Sequence, residues 1–441
     1  MTIGSTDLTV SKYIHFLERN NKRYIFNSRT LDVYSCTAEF QSKLKGNINS
    51  ICKTELKELM DNLVLVDKIS NQGQLVLDEM NTFRKALRTK ADFNPKITFA
   101  RVSLTEDCNM ACTYCFQQKL YTQSRPQLTN SKLEEIIDAL INQNNGKFLN
   151  IQYFGGEPLI RFKQIELANL QLKDAKKKGL LEGFRQTITT NGTMMSSKAA
   201  EFLVENDFDV IFSLDGWEEL NDKNRIFRNG KGTYQRVLKG MDIYKKLNGD
   251  RKVLITPTNQ NARIMDKIIA HFIHVLRVDT IGFNAPQPTA DGWEVSGKNL
   301  ARVVMDTWIY CQEHGVQFHS PGTFIPQILQ SKIPQIDRCA DDSLAMQGDW
   351  PIYVSGSAKF SMCLVHHNED EISIDTLKNV GGNEKMLEWH LKENSYDRCD
   401  TCIAAKICGG PCSLELFMNS SLNKDRCSFY KEIVEEVITY E

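Results

Sequence analysis

The sequence predicts an α/β protein: a partial (β/α)6 barrel of the TIM type, preceded by a small winged-helix-like module and followed by a cysteine-rich domain. Between Lys96 and Pro286, six short apolar runs alternate with longer amphipathic stretches, the signature of parallel strands joined by crossover helices. The runs lie at residues 97–104, 149–154, 186–190, 210–214, 253–257 and 280–284. Residues 133–141, Leu-Glu-Glu-Ile-Ile-Asp-Ala-Leu-Ile, show the 3.6-residue period of such a crossover helix. The unusual loops of this region fall at the carboxyl ends of the strands, where barrel folds build their sites.

Taken from the N-terminus, residues 13–17 and 23–26 read as a hairpin turning at Asn20-Asn21. Helical stretches from Cys36 and from Thr54 follow, then a short wing at 63–66. Such a segment is either a structural extension packed on the barrel or a peptide-binding module. The expected divisions are 1–75 for this module, 76–95 for a linking helix ending near Pro95, and 96–300 for the barrel. A bridging region at 301–338, with a helix through Trp308, leads into the cysteine-rich domain at 339–441.

A chain of 441 residues with 41% hydrophobic content has core enough for two or three domains. Its formal net charge of -1, without a sustained basic stripe, offers no electrostatic case for a nucleic-acid or membrane partner. The run Lys176-Lys177-Lys178 reads as a solvated helix face. The first residues lack a charged segment followed by an apolar one, and no apolar run reaches about eighteen residues, so the expected location is cytoplasmic. In a reducing compartment the 13 cysteines are not expected to form disulfides. All but Cys36, Cys52 and Cys311 fall in spaced groups, which favours metal or iron–sulfur ligation.

After the first strand, residues 104–116 place Cys108, Cys112 and Cys115 in a CxxxCxxC loop. Three thiolates at this spacing can hold a [4Fe–4S] cluster by three corners, leaving one iron free to chelate an outside amino-carboxylate. A zinc site is the alternative, but it calls for four protein ligands, usually in paired CxxC knuckles. The second strand ends in Tyr153-Phe-Gly-Gly-Glu-Pro158. There Gly155 and Gly156 allow close backbone approach to a ligand, and Glu157 offers an acceptor for an ammonium group. Later strand ends carry Thr189-Thr-Asn-Gly-Thr193 and Ser213-Leu-Asp-Gly216.

With Tyr114 just before the third cysteine and GGEP one strand later, the pattern resembles the radical S-adenosylmethionine superfamily. The resemblance implies S-adenosylmethionine as cosubstrate at the open iron, cleaved by one electron to a 5′-deoxyadenosyl radical. It implies that Asn191 and Ser213 hydrogen-bond the cosubstrate's ribose or carboxylate, and that Arg225 pairs with the carboxylate. An electron donor such as flavodoxin or ferredoxin is implied as well. No side chain is designated as catalytic.

Near the C-terminus, Cys399-x2-Cys402-x5-Cys408-x3-Cys412 with Cys427 beyond, and Cys339 and Cys363 upstream, resembles the SPASM domain. By that resemblance two auxiliary [4Fe–4S] clusters are expected, three clusters in all. Cys399, Cys402, Cys408 and Cys427 would hold one, and Cys339, Cys363 and Cys412 the other. A zinc ribbon is the alternative. The chain departs from the pattern at three places. Gly356 lies further from Cys363 than usual, and the nearer cluster has three evident cysteines, leaving Cys311, Asp341 or a substrate group for its fourth iron. Leu364 stands where sulfatase-maturing relatives place an acidic base, which disfavours formylglycine formation. His366 and His367 follow it and are expected to be structural.

The implied function is maturation of a ribosomally made precursor peptide, its leader bound by residues 10–70 and a radical cross-link installed in its core. A carbon–carbon cyclophane is favoured over a thioether. Sulfatase maturation and peptide epimerisation, with Cys311 as the loose thiol, are the enzymatic alternatives. A non-catalytic iron–sulfur carrier is the alternative from another class.

Overall fold

The computed structural model describes residues 8–89, 96–115, 117, 125–284, 294–335, 349–361, 363, 373–374, 391–413 and 422–440. Asn20 and Asn21 have φ of 49° and 63°, a type I′ turn whose twist matches that of the strands it joins. It connects β2 (Ile14–Arg19) to β3 (Lys22–Asn27), and β4 (Asp32–Cys36) completes a three-stranded antiparallel sheet. Beside this sheet β1 (Leu8–Val10) pairs with β5 (Leu65–Asp67). Helices Ala38–Gly46 and Lys53–Asp61 lie between β4 and β5, the first capped by Thr37, whose side chain accepts from Phe40 N.

Strand β3 is buried on both faces. Ile25 packs with Leu44, Ile51, Val64 and Leu65 in a small core of the N-terminal module. Its neighbours Tyr24 and Phe26 point the other way and join the main core together with Leu17 and Leu31. On that side β2 and β3 meet the C-terminal helix Lys424–Thr439, and Arg19 pairs with Glu436. The module is thus stitched to the far end of the chain.

Helix Leu75–Thr89 follows, burying Val76, Leu77, Met80 and Arg84 as one stripe. Its first amides are capped from a distance: Val76 N and Leu77 N donate to Asp400 Oδ1 at 3.0 and 3.2 Å. Tyr13 Oη donates to Asp400 Oδ2 at 2.9 Å, and Lys12 Nζ lies 2.8 Å from the same oxygen.

The six expected strands are present and parallel: β6 (Lys96–Ser103), β7 (Phe148–Phe154), β8 (Gly183–Thr190), β9 (Asp209–Ser213), β10 (Lys252–Ile255) and β11 (Thr280–Phe283). Two further parallel strands flank them, β12 (Gln317–His319) beside β11 and β13 (Asp349–Val354) beside β6. The antiparallel β14 (Phe360–Ser361) and β15 (Ser373–Ile374) extend the β13 edge. The sheet order is β12-β11-β10-β9-β8-β7-β6-β13-β14-β15.

Alternation along the strands divides the sheet into two faces. Ala100, Val102, Leu149, Ile151, Ile188, Val210 and Phe212 turn toward the crossover helices and form the main core. Arg101, Gln152 and Phe154 turn to the opposite, concave face. There Arg101 Nε donates to Gln152 Oε1 at 2.7 Å and Gln152 Nε2 to Thr189 Oγ1 at 2.9 Å. The Arg101 guanidinium sits over the rings of Phe154 and Tyr353, 5.4 and 5.3 Å from their centres. No helix among the described residues is long and apolar enough to cross a membrane.

Candidate functional site

Cys108, Cys112 and Cys115 lie on the loop leaving the carboxyl end of β6, and neighbouring loops fix its main chain from two sides. From β7, Gly156 N donates to Thr105 O at 2.9 Å and Glu157 N to Asp107 O at 2.8 Å. From beyond β9, Ala111 N donates to Ile226 O at 2.7 Å and Thr113 N to Asn224 O at 3.0 Å. Within the loop Cys115 N closes a turn on Cys112 O at 3.1 Å. All three sulfurs are half-buried.

Gly155 and Gly156 let the GGEP turn approach this loop closely. A Cβ on Gly155 would stand 1.9 Å from Ser103 Oγ, and one on Gly156 would stand 2.0 Å from Asp107 O. Gly155 also has φ +110°, which L side chains rarely adopt. The GGEP turn thus packs directly against the cysteine loop.

Glu157 is engaged within the protein. It is 1% exposed, and its carboxylate accepts from Leu159 N at 2.9 Å, Thr190 Oγ1 at 2.7 Å and Asn191 N at 2.8 Å. With three donors inside the protein, it latches the end of β7 to the end of β8. Burial pushes Glu157 up to about 6, against the pull of those donors. A carboxyl raised above its unfolded value binds its proton more tightly in the folded state, so its contribution is present in acid and is lost as pH rises through that range. The stability gap between the parent and Glu157→Gln should shrink by about 2 kcal/mol between roughly pH 4 and 7. Urea unfolding at a series of pH values measures it, and a pH-independent gap contradicts the raised carboxyl.

Asn191 lies beside the first cysteine. Its Nδ2 donates to Asn109 Oδ1 at 2.9 Å and reaches Cys108 Sγ at 3.7 Å, while its Oδ1 accepts from Thr193 N and Oγ1. Met110 N also donates to Cys108 Sγ, at 3.4 Å. Two N–H groups aimed at one sulfur suit a thiolate ligand, whose electronics such hydrogen bonds tune. Asn109 and Thr193, joined at 2.8 Å, complete the support and were missed in the sequence, where they occupy ordinary loop positions. Ser213 lies half-buried at the end of β9.

Arg225 pairs within the protein with Asp215. Its Nε and Nη2 donate to Asp215 Oδ2 and Oδ1 at 2.9 and 3.2 Å, a fork-to-fork pair with side-chain exposures of 8% and 1%. Tyr114 Oη donates to the same carboxylate, and the guanidinium lies 5.5 Å from the Tyr114 ring centre. Thr256 N adds a bond to Asp215 Oδ1 at 3.0 Å. Burial holds the Tyr114 hydroxyl well above its ordinary value, so it remains a donor. Asp215 anchors Tyr114 and, through it, the backbone next to Cys115. It stands inside the quoted Ser213-Leu-Asp-Gly216 motif, yet nothing in the motif shows which cation it pairs with.

Burial pushes the Cys108 thiol up to about 12 and the Cys112 thiol up to about 11. Loading iron on this loop therefore releases protons and is favoured by alkaline conditions. Among the described residues, no three His, Cys, Asp or Glu side chains converge closely enough for a single metal ion.

The C-terminal cysteines fall into the expected first set. Cys399, Cys402, Cys408 and Cys427 line one cavity, walled on one side by Val76 and Met80 of helix Leu75–Thr89. Four thiols around one apolar space fit an iron–sulfur cluster. Cys363 and Cys412 are half-buried elsewhere, whereas Cys339, Asp341, Leu364, His366 and His367 lie outside the described residues. Cys311 is 0% exposed inside the main core, so the expectation of a loose thiol near a cluster gives way to a small apolar core residue.

Residues 102–268 match the family model described as the radical SAM superfamily. The cysteine-type anaerobic sulfatase-maturating enzyme of Clostridium perfringens is 28% identical over 184 residues, 40% of this chain and 49% of that protein. The radical SAM cyclopropyl synthase TigE of Paramaledivibacter caminithermalis is 23% identical over 277 residues, 56% of each chain. The chain thus spans about half the length of these curated relatives. Native anSMEcpe with bound AdoMet matches with a TM-score of 0.63 at 20% identity, over 77% of this chain and 97% of that one. Streptococcus suis SuiB bound to S-adenosylmethionine matches with a TM-score of 0.55 at 15% identity, over 97% of this chain and 99% of that one. At these identities the likeness is one of fold.

Proposed function

With a radical SAM domain at residues 102–268 as the premise, we propose that the chain is a radical S-adenosylmethionine maturase acting on a ribosomally made precursor peptide. The observation that carries this reading is the cysteine loop, whose three thiols are set by main-chain bonds from two neighbouring strand ends. A [4Fe–4S] cluster on Cys108, Cys112 and Cys115 would bind S-adenosylmethionine and supply its one-electron cleavage to an adenosyl radical. Asn191 and Met110 N would then support the Cys108 thiolate, and the Tyr114-Asp215-Arg225 cluster would hold the third cysteine's backbone still. The face carrying Arg101, Gln152 and the rings of Phe154 and Tyr353 would receive a peptide side chain, where orientation would direct the chemistry.

The module at residues 1–75 is proposed to hold the leader. In its sheet β4 is an outer strand, a position suited to main-chain pairing with an extended peptide. The likeness to SuiB, which has been solved bound to the precursor peptide SuiA, extends over the N-terminal region, whereas that to anSMEcpe covers 77% of the chain. Tethering by the leader would raise the effective concentration of the core at that face. Within this class a carbon–carbon cross-link is favoured over a thioether, and auxiliary clusters on the C-terminal cysteines would complete the cofactor set. An external flavodoxin- or ferredoxin-type protein would supply electrons. Sulfatase maturation, the activity named for the Clostridium perfringens relative, is the second reading.

The test is anaerobic co-expression with the short open reading frame beside the gene, followed by mass spectrometry of the peptide. Loss of two hydrogens confined to residues outside the leader, in a peptide that gives no oxime with hydroxylamine, is expected, and addition of the leader alone in trans should suppress it. An unaltered mass, or conversion of a serine or cysteine to an aldehyde, overturns the cross-linking reading.

A further inference from the structure

The cysteine loop is paired along one edge with a tight hairpin, residues 226–232, that follows helix Glu218–Asn224. Met110 bridges Phe227, Ala111 N donates to Ile226 O at 2.7 Å, and Thr113 holds Asn224 through its backbone N and, at 2.8 Å, its Oγ1. The hairpin turns through Gly230, at φ +79°, where a Cβ would meet nothing within 4 Å, so its tip stands in solvent. Lys223, Arg228 and Lys231 are exposed there. Arg228 reaches back to Asp107, the residue before Cys108, and Arg125 lies 3.6 Å from the same carboxylate. The other acid of this edge, Asp222, is half-buried, and its Oδ1 accepts from Thr233 N and Tyr234 N at 2.8 and 2.9 Å. Lys223 and Lys231 have no acidic partner among the described residues. Glu218 and Glu219 stand at the amino end of their helix, whereas its carboxyl end meets Thr113. Arg125, Lys223, Arg228 and Lys231 thus face only two carboxylates, both engaged, and leave this edge basic on a chain of formal net charge -1.

We propose that this basic edge is the docking surface for a small acidic one-electron carrier of the flavodoxin type, which reduces a cluster on Cys108, Cys112 and Cys115. This rests on the reading of those three cysteines as cluster ligands. In the step the carrier's flavin loses one electron and the cluster gains it, with no bond made or broken. Electron transfer between proteins falls steeply with distance, so a carrier has to sit beside the cysteine loop. The hairpin meets that need, because its main chain is joined to residues 110–113, between the first and the third cysteine. Carriers of this type present carboxylates around the flavin, and opposite charges at the rim of a contact steer the encounter and set its orientation. A small, charged and transient contact suits a partner that has to leave after each delivery. Nucleic acid is disfavoured, since these cations form one short edge interrupted by Asp107 rather than a track along a backbone. Lys223 and Lys231 are docking residues and touch neither substrate nor cosubstrate.

The test is calorimetric titration of the full-length, iron-loaded protein with oxidised flavodoxin at low ionic strength. Lys223→Glu/Lys231→Glu should weaken binding at least about tenfold, and salt at about 0.5 M should bring the parent close to the variant. Lys176→Glu/Lys177→Glu makes the same charge change at the carboxyl end of helix Phe162–Lys177 and should bind as the parent does. A second measurement reduces the cluster fully with dithionite before S-adenosylmethionine is added, so that no carrier is needed. There Lys223→Glu/Lys231→Glu should form 5′-deoxyadenosine at the parent's rate. Unchanged affinity in that variant, or an equal loss in Lys176→Glu/Lys177→Glu, overturns the proposal. So does a variant that is equally slow after full reduction, which would mark damage to the cluster loop. If charge reversal prevents iron loading, Lys223→Gln/Lys231→Gln supplies the reading: binding weakened about threefold supports the surface, and parent-level binding overturns it. Precursor peptide that displaces flavodoxin from the parent and loses affinity for the variant assigns the edge to the peptide and overturns it too. A parent that forms no 5′-deoxyadenosine after full reduction fails the radical reading itself, whatever the affinities, and the proposal falls with it.

Discussion

Cys112→Ala should abolish formation of 5′-deoxyadenosine from S-adenosylmethionine and remove the iron of one cluster, while the chain remains folded. The separation of effects follows from how the loop is held. Ala111, Thr113 and Cys115 are fixed through main-chain atoms, and an alanine at position 112 keeps all of those bonds. Only the sulfur is lost, and with it one of three ligands to an iron–sulfur group whose affinity depends on every thiolate. Chromatographic measurement of 5′-deoxyadenosine, with iron content and circular dichroism as controls, checks it. Parent-level production in this variant contradicts the assignment of the loop.

Asp215→Ala should destabilise the protein by about 3–5 kcal/mol, because removing one member of a buried ion pair strands the other charge. Asp215 is 1% exposed and Arg225 is 6% exposed, so water cannot take over the guanidinium. The same substitution leaves Tyr114 Oη and Thr256 N without their acceptor. Guanidinium chloride unfolding of the iron-free chain measures the loss. Had Arg225 been reserved for a cosubstrate carboxylate, the change would weaken cosubstrate binding and leave stability within about 0.5 kcal/mol, the range of ordinary surface substitutions. That outcome would restore the sequence-based expectation.

These two cases show where the sequence was legible. The six strands could be read because each apolar run is bounded by turn residues and followed by a helical period, all local signals. The hairpin at Asn20-Asn21 was legible for the same reason, since asparagine tolerates the positive φ that a two-residue turn demands. The cysteines were legible because ligand spacing within one loop is itself local. β13 was not: Pro351 interrupts it, the pairing with β6 shifts register between Asp349 and Pro351, and proline in a run argues against a strand. Its partner lies some 250 residues upstream, a distance over which no pattern in one sequence reports. The partners of Glu157 and Arg225 within the protein were hidden by the same blindness. Their residue types suit a ligand as well as they suit Thr190, Asn191 and Asp215, and only the packed structure decides which partner is in reach.

Asp400 closes the amino end of a helix that begins 324 residues earlier. During synthesis that helix emerges long before its cap exists, so the wall it contributes to the cysteine cavity cannot be seated until nearly the whole polypeptide has left the ribosome. The cysteines of that cavity are made together with the cap, so the cavity forms only at the end of synthesis, and a cluster bound by Cys399, Cys402, Cys408 and Cys427 would be loaded on the finished chain.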